Sequence, residues 1–187
     1  MSKDLLNSNN LVWIDMEMTG LDYQTNVIIE IAVVITDVNL NILDQSPSYA
    51  ISQPEEELTK MDKWNVSAHT KSGLIERVRQ SQFSLDFVEK ELIKLISTYV
   101  PKHESPLCGN SVHQDRKFMN KYMPNLEAHL HYRNLDVSTI KELARRWYPE
   151  IAKQFKKHNK HEALADIVES INEMKFYQEH LFIKRPQ

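Results

Sequence analysis

Leu11-Val12-Trp13-Ile14-Asp15-Met16-Glu17 and, ten residues on, Val27-Ile28-Ile29-Glu30-Ile31-Ala32-Val33-Val34-Ile35-Thr36 decide the fold of this chain. Both runs are rich in β-branched residues and are separated by a turn-forming Thr19-Gly20-Leu21, so they read as the first two strands of a sheet. Leu40 to Ile51 reads as a third strand. The short Asp37-Val38-Asn39 connection would pair the second and third strands antiparallel.

The pattern then changes. Pro54 to Met61 and Ser72 to Gln80 are candidate short helices. Ser84 is a natural N-cap for a stripe of Leu85, Val88, Leu92, Leu95, Ile96 and Tyr99 at spacings of three and four, closed by Pro101. Leu107-Cys108-Gly109-Asn110 reads as a strand, His113 to Tyr122 as a helix stopped by Pro124, Leu135 to Val137 as a brief strand and Thr139 to Trp147 as a helix. Ala163 to Phe182 is a long terminal helix. Strands first and then alternating helix and strand predict an α/β sandwich around a mixed five-stranded sheet with flanking helices. At 187 residues and 41% hydrophobic content, one domain over residues 1–187 is expected.

Charge and cysteine usage narrow the function. The net charge of −3 lacks the basic bias of proteins that track long nucleic acids, so a nucleic-acid substrate has to be short or reached through metal ions. A single cysteine forms no intrachain disulfide and the first residues carry no apolar signal, which predicts a cytoplasmic protein; no apolar run is long enough for a membrane span.

Asp15 and Glu17 are two residues apart at the end of a strand, so both side chains point to one face. Among 26 acidic residues such pairs arise by chance. Glu89 and Glu91 form another, but on a helix they diverge and read as a solvated face. Asp15 follows an apolar run inside a strand, where Asp is depleted and a charge needs a partner or a metal. Asp115 stands where a strand end enters a helix. His161 and Asp166 flank the entrance of the last helix. No His/Cys cluster of zinc type is visible.

In this order, Leu-Val-Trp-Ile-Asp-Met-Glu-Met-Thr-Gly-Leu-Asp from Leu11, Cys-Gly-Asn-Ser from Cys108 with Asp115, and His161 with Asp166 resemble the DEDDh exonucleases. The closer resemblance is to the oligoribonuclease family. It extends to Met61-Asp-Lys-Trp-Asn-Val-Ser-Ala-His-Thr70, Tyr132-Arg-Asn-Leu-Asp-Val-Ser138 and Phe176-Tyr-Gln-Glu-His-Leu-Phe182. One departure is Ala165, where the family often has a second acid before the position of Asp166.

The resemblance implies an RNase H-like fold in which Asp15, Glu17, Asp115 and Asp166 hold two Mg²⁺ or Mn²⁺ ions and His161 acts as general base. The implied activity is 3′→5′ hydrolysis of very short RNA, especially 5′-phosphorylated dinucleotides, to 5′-mononucleotides. It further implies that Leu21 wedges near the bases, that Trp64 and His69 lie close to the substrate, and that Ser111, Arg133 and Ser138 bind its 5′-phosphate. Tyr132 would come from the second subunit of a homodimer. By themselves Leu21 and Trp64 are ordinary apolar residues, His69 a helix-cap neighbour and Arg133 a surface charge. Lys153, Lys156, Lys157 and Lys160 are most simply a solvated face. The competing functions are a DEDDh enzyme that trims longer DNA or RNA ends, and a non-catalytic RNA-binding scaffold; the second conflicts with five intact catalytic positions.

Overall fold

The computed structural model describes residues 5–156 and 162–182. Its centre is the antiparallel pair β1 (Leu11–Met18) and β2 (Ile28–Thr36), in register from Leu11 opposite Thr36 to Glu17 opposite Glu30, with an irregularity between Glu17 and Met18. All nine residues of β2 are buried, which is why its sequence is apolar on both faces rather than alternating.

The expected third strand is two strands. β3 (Ile42–Gln45) and β4 (Tyr49–Ala50) lie along the same side of β2, pairing with its end and its beginning respectively. Pro47 sits in the gap and has no N–H to offer the ladder. Ser46 bridges the break, its N–H donating to the Val33 carbonyl while its hydroxyl accepts from the Val33 N–H, at 2.8 and 2.9 Å. The sheet therefore has six strands in five columns, corrected from the expected five strands. Its order is β3, β2, β1, β5 (Leu107–Gly109) and β6 (Asn134–Asp136), with β4 beside β3 on β2. β5 and β6 run parallel to β1.

Helices cover both faces. Val12, Ile14 and Met16 on one side of β1 pack with α4 (Leu85–Tyr99) and α5 (His113–Tyr122). Trp13 on the other side packs with Ala32 and Val34 against α7 (Val137–Trp147) and α9 (Ala163–Leu181). Ser84 caps α4 as expected, accepting from the Phe87 N–H. Pro124 does more than end α5: it opens the four-residue α6 (Pro124–Glu127), where its missing N–H costs nothing. A short α8 (Pro149–Ala152) follows α7. α1 (Glu55–Thr59) and α3 (Leu74–Gln80) fall where expected, and between them lies an unforeseen α2 (Lys63–Lys71). α2 buries His69 alone, so it has no apolar stripe to read.

Candidate active site

The alternation of β1 builds the site. Trp13, Asp15 and Glu17 share the face covered by α9, and at Asp15 the strand stops supplying apolar groups to that face. α9 brings Asp166 in its first turn, with the Asp166 N–H donating to the Glu162 carbonyl. One ligand oxygen from each of Asp15, Glu17 and Asp166 lies within 4.8 Å of the others.

Asp115 arrives from the opposite side. β5 pairs with β1 at Val12 and Trp13, and further along β1 the Asp115 Oδ1 accepts the Met16 N–H at 3.1 Å. The turn that feeds α5 needs Gly109. Its φ is +156°, and a Cβ there would meet the Ile14 carbonyl oxygen at 2.9 Å and a Val112 methyl at 2.8 Å. The close approach of β5's end to β1 thus sets Asp115 in place.

Burial, then the charges of Asp166, Glu30 and Asp115, push the Glu17 carboxyl up to about 8. Burial also lifts Asp115 to about 7, against the stabilising N–H bonds from its own backbone and Met16. Such a group of hard oxygen donors, costly to ionise without a counter-charge, fits a divalent cation. His69 borders the cluster. It is 1% exposed, with Nε2 3.1 Å from the Met18 carbonyl oxygen and Nδ1 4.0 Å from Glu17 Oε2.

Leu21 is exposed on the β1–β2 loop, which Lys121 grips through the Tyr23 and Gln24 carbonyls and Tyr122 through that of Asn26. Trp64 is exposed in the first turn of α2. Ser111, at φ +56°, and Ser138 are brought together by Asp136, whose Oδ1 accepts both backbone N–H groups at 2.9 Å and the Ser138 hydroxyl at 2.6 Å. Tyr132 is 73% exposed, and the Arg133 guanidinium lies 5.4 Å from its ring centroid. Arg116, beside Asp115, clamps the loop by donating to the His131 and Arg133 carbonyls. His161, Lys157 and Lys160 lie outside the described residues.

Sequence reasoning missed Glu30, Arg116 and Asp136. Glu30 carried a signal, being the one charge within Val27–Ile35. Asp136 carried a weaker one, an Asp two residues before a Ser at a helix entrance. Arg116 carried none.

This sheet with acids at the end of its first strand is the kind of site that exonucleases of one family share. The chain matches the RNase_T family model, described as exonuclease, over residues 12–174. E. coli exonuclease I, solved in complex with a dA16 oligonucleotide, has the same RNase H-like fold, with a TM-score of 0.73 at 13% identity over 92% of this chain and 41% of that one. The chain thus spans about two fifths of exonuclease I. Its sequence is 57% identical to the oligoribonuclease of Nitrosomonas eutropha over 175 residues, covering 94% of this chain and 97% of that protein. The oligoribonuclease of Neisseria meningitidis serogroup A is 55% identical over 179 residues, 96% of each chain. The chain belongs to the oligoribonuclease family of exonucleases.

Proposed function

We propose that this chain is a 3′→5′ exoribonuclease that hydrolyses very short RNA, 5′-phosphorylated dinucleotides above all, to 5′-mononucleotides. The observation that carries this is the convergence of Asp15, Glu17 and Asp166 within 4.8 Å, in a chain of this family. These three and Asp115 would hold two divalent cations, Mg²⁺ or Mn²⁺. When bound, the cations supply an acidified water and charge stabilisation for the leaving 3′-oxygen. His161, one residue before the α9 N-cap Glu162, takes the proton from the attacking water, the general-base work to which an imidazole is suited near neutral pH.

Leu21 and Trp64 offer exposed apolar surface to the bases, and His69, buried with Nδ1 4.0 Å from Glu17 Oε2, lies close to the substrate. Ser111, Ser138 and Arg133 bind the 5′-phosphate. In the free chain the Ser138 hydroxyl donates to Asp136, so it has to turn from Asp136 to reach the phosphate, and Arg133 carries most of the charge recognition. The protein works as a homodimer in which exposed Tyr132 reaches the partner's site.

Hydrolysis of a labelled dinucleotide and of a long single-stranded RNA, side by side with Mn²⁺, tests this. The dinucleotide should be cut far faster. Faster cutting of the long strand would favour an end-trimming enzyme. Arg133→Ala should weaken a 5′-phosphorylated dinucleotide by about 1.5–3 kcal/mol, the range for hydrogen bonds to charged groups. It should barely affect one lacking that phosphate, with Ca²⁺ replacing the catalytic ion in both titrations. Equal losses would remove the phosphate cap from the account of length selection.

A further inference from the structure

Glu30 is 0% exposed at the centre of the sheet, and no step above uses it. A carboxylate is stable there only if its oxygens are paired. Both are. Oε1 accepts from Arg77 Nη2 of α3 at 2.8 Å, and Oε2 accepts from the backbone N–H of Ala163, the first residue of α9, at 3.0 Å.

The start of α9 needs this partner. The first N–H groups of a helix have no intrahelical acceptor, and the N-cap residue Glu162 makes no side-chain capping bond. Glu30 takes over the capping role from another strand, placing a negative group at the positive end of a 19-residue helix. Asp166 lies three residues beyond Ala163, so the point that fixes Ala163 also fixes the direction from which Asp166 approaches β1. Glu30 stands opposite Glu17 in the β1–β2 register. The strand position that faces one acid of the cluster thereby anchors the helix carrying another. A cleft of about 660 Å³, lined by Glu30, Arg77, Glu162 and Asp166, runs along this junction.

We propose that Glu30, held by Arg77, is a positioning residue that docks the N-terminus of α9 on the sheet and sets the Asp166 carboxylate against Asp15 and Glu17 for cation binding. The proposal rests on the cation-binding reading of that cluster. Partners that orient metal ligands typically govern affinity about 10–100-fold.

The test is calorimetric titration of Mn²⁺ into the metal-free full-length chain, at a temperature where circular dichroism shows each variant folded. Glu30→Gln should lower Mn²⁺ affinity by about 10–100-fold. Arg77→Met, at a side chain 42% exposed and therefore gentler on folding, should lower it in the same direction. Glu89→Gln is the control for stability alone. Glu89 is also buried and caps a helix, accepting from the Asn125 and Leu126 N–H groups, but serves α6. It should lower the melting temperature and leave Mn²⁺ affinity unchanged. Wild-type binding combined with unchanged affinity in Arg77→Met and Glu30→Gln, or a loss matched by Glu89→Gln, overturns the positioning role and leaves the cation site standing. Absence of Mn²⁺ binding by the wild type removes the cation site, and this inference with it.

Discussion

Asp115 shows how much one hydrogen bond can separate folding from chemistry. Its Oδ1 is the acceptor for the Met16 N–H, and an asparagine oxygen can keep that bond while the negative charge is lost. Asp115→Asn should therefore abolish turnover with Mg²⁺ while moving the melting temperature by less than about 4 °C, the shift expected for roughly 1 kcal/mol in a domain this size. Near-normal turnover would exclude Asp115 from the essential ligands. Glu17 and Asp115 also set a pH dependence. Their carboxyls titrate at about 8 and about 7 in the folded chain, well above the unfolded range near 4. These two groups therefore hold more protons in the folded state than in the unfolded one between about pH 4 and about pH 8, and their contribution to the stability of the metal-free protein falls as pH rises through that window. Scanning calorimetry in chelator should show a lower melting temperature at pH 8 than at pH 5, and added Mn²⁺ should close the gap; a flat profile would contradict the burial of these acids. The acids themselves were legible in the sequence, because Asp15 and Glu17 interrupt an apolar strand at matching parity. Glu30 interrupts one as well, but a lone buried charge gives no sign of its partners, and those lie 47 and 133 residues away.

At the scale of elements, strong periodicity was readable and brevity was not. α4 announces itself through its Ser84 cap and apolar stripe, and α9 through its length. α2 does not, because its residues mostly face solvent and its cap, Asp62 accepting from the Asn65 N–H, is a local signal common in turns. The third strand misled although Asp44-Gln45-Ser46-Pro47-Ser48 interrupts the apolar pattern inside Leu40–Ile51, and Pro47 with no N–H marks where the hydrogen bonding breaks. β5 is only three residues long, yet it places Asp115 through Gly109. Gly109→Ala would force a residue with a Cβ into φ +156° against the Ile14 carbonyl. Strain of this kind costs about 1–3 kcal/mol. The melting temperature should fall by about 2–4 °C for each kcal/mol. An unchanged melting temperature would show that β5 can retreat from β1 at no cost.

For the molecule as a whole, the outer surface of α7 bears on assembly. Trp147 is 66% exposed, with Tyr148 and Leu143 exposed near it and Tyr132 on the loop before β6. Exposed large apolar groups such as Trp147, Tyr148 and Leu143 at one end of α7 suit an interface with a second copy. If the chain is the homodimer proposed above, Trp147→Asp should shift it to monomer in sedimentation velocity and slow dinucleotide hydrolysis together; a persistent dimer would place the interface elsewhere, and a monomeric wild type would remove the homodimer. The net charge of −3 is compatible with self-association and with a substrate bearing few phosphates. The broken strand beside β2 adds a consequence for solubility. One border of the sheet is split into pieces of four and two residues, and the other, β6, has three. Neither offers a long open ladder onto which a stray chain could zip. The folded sheet is thus guarded against fibril-like stacking, and pairing of copies falls to side chains on helices and loops instead of to a continuous sheet.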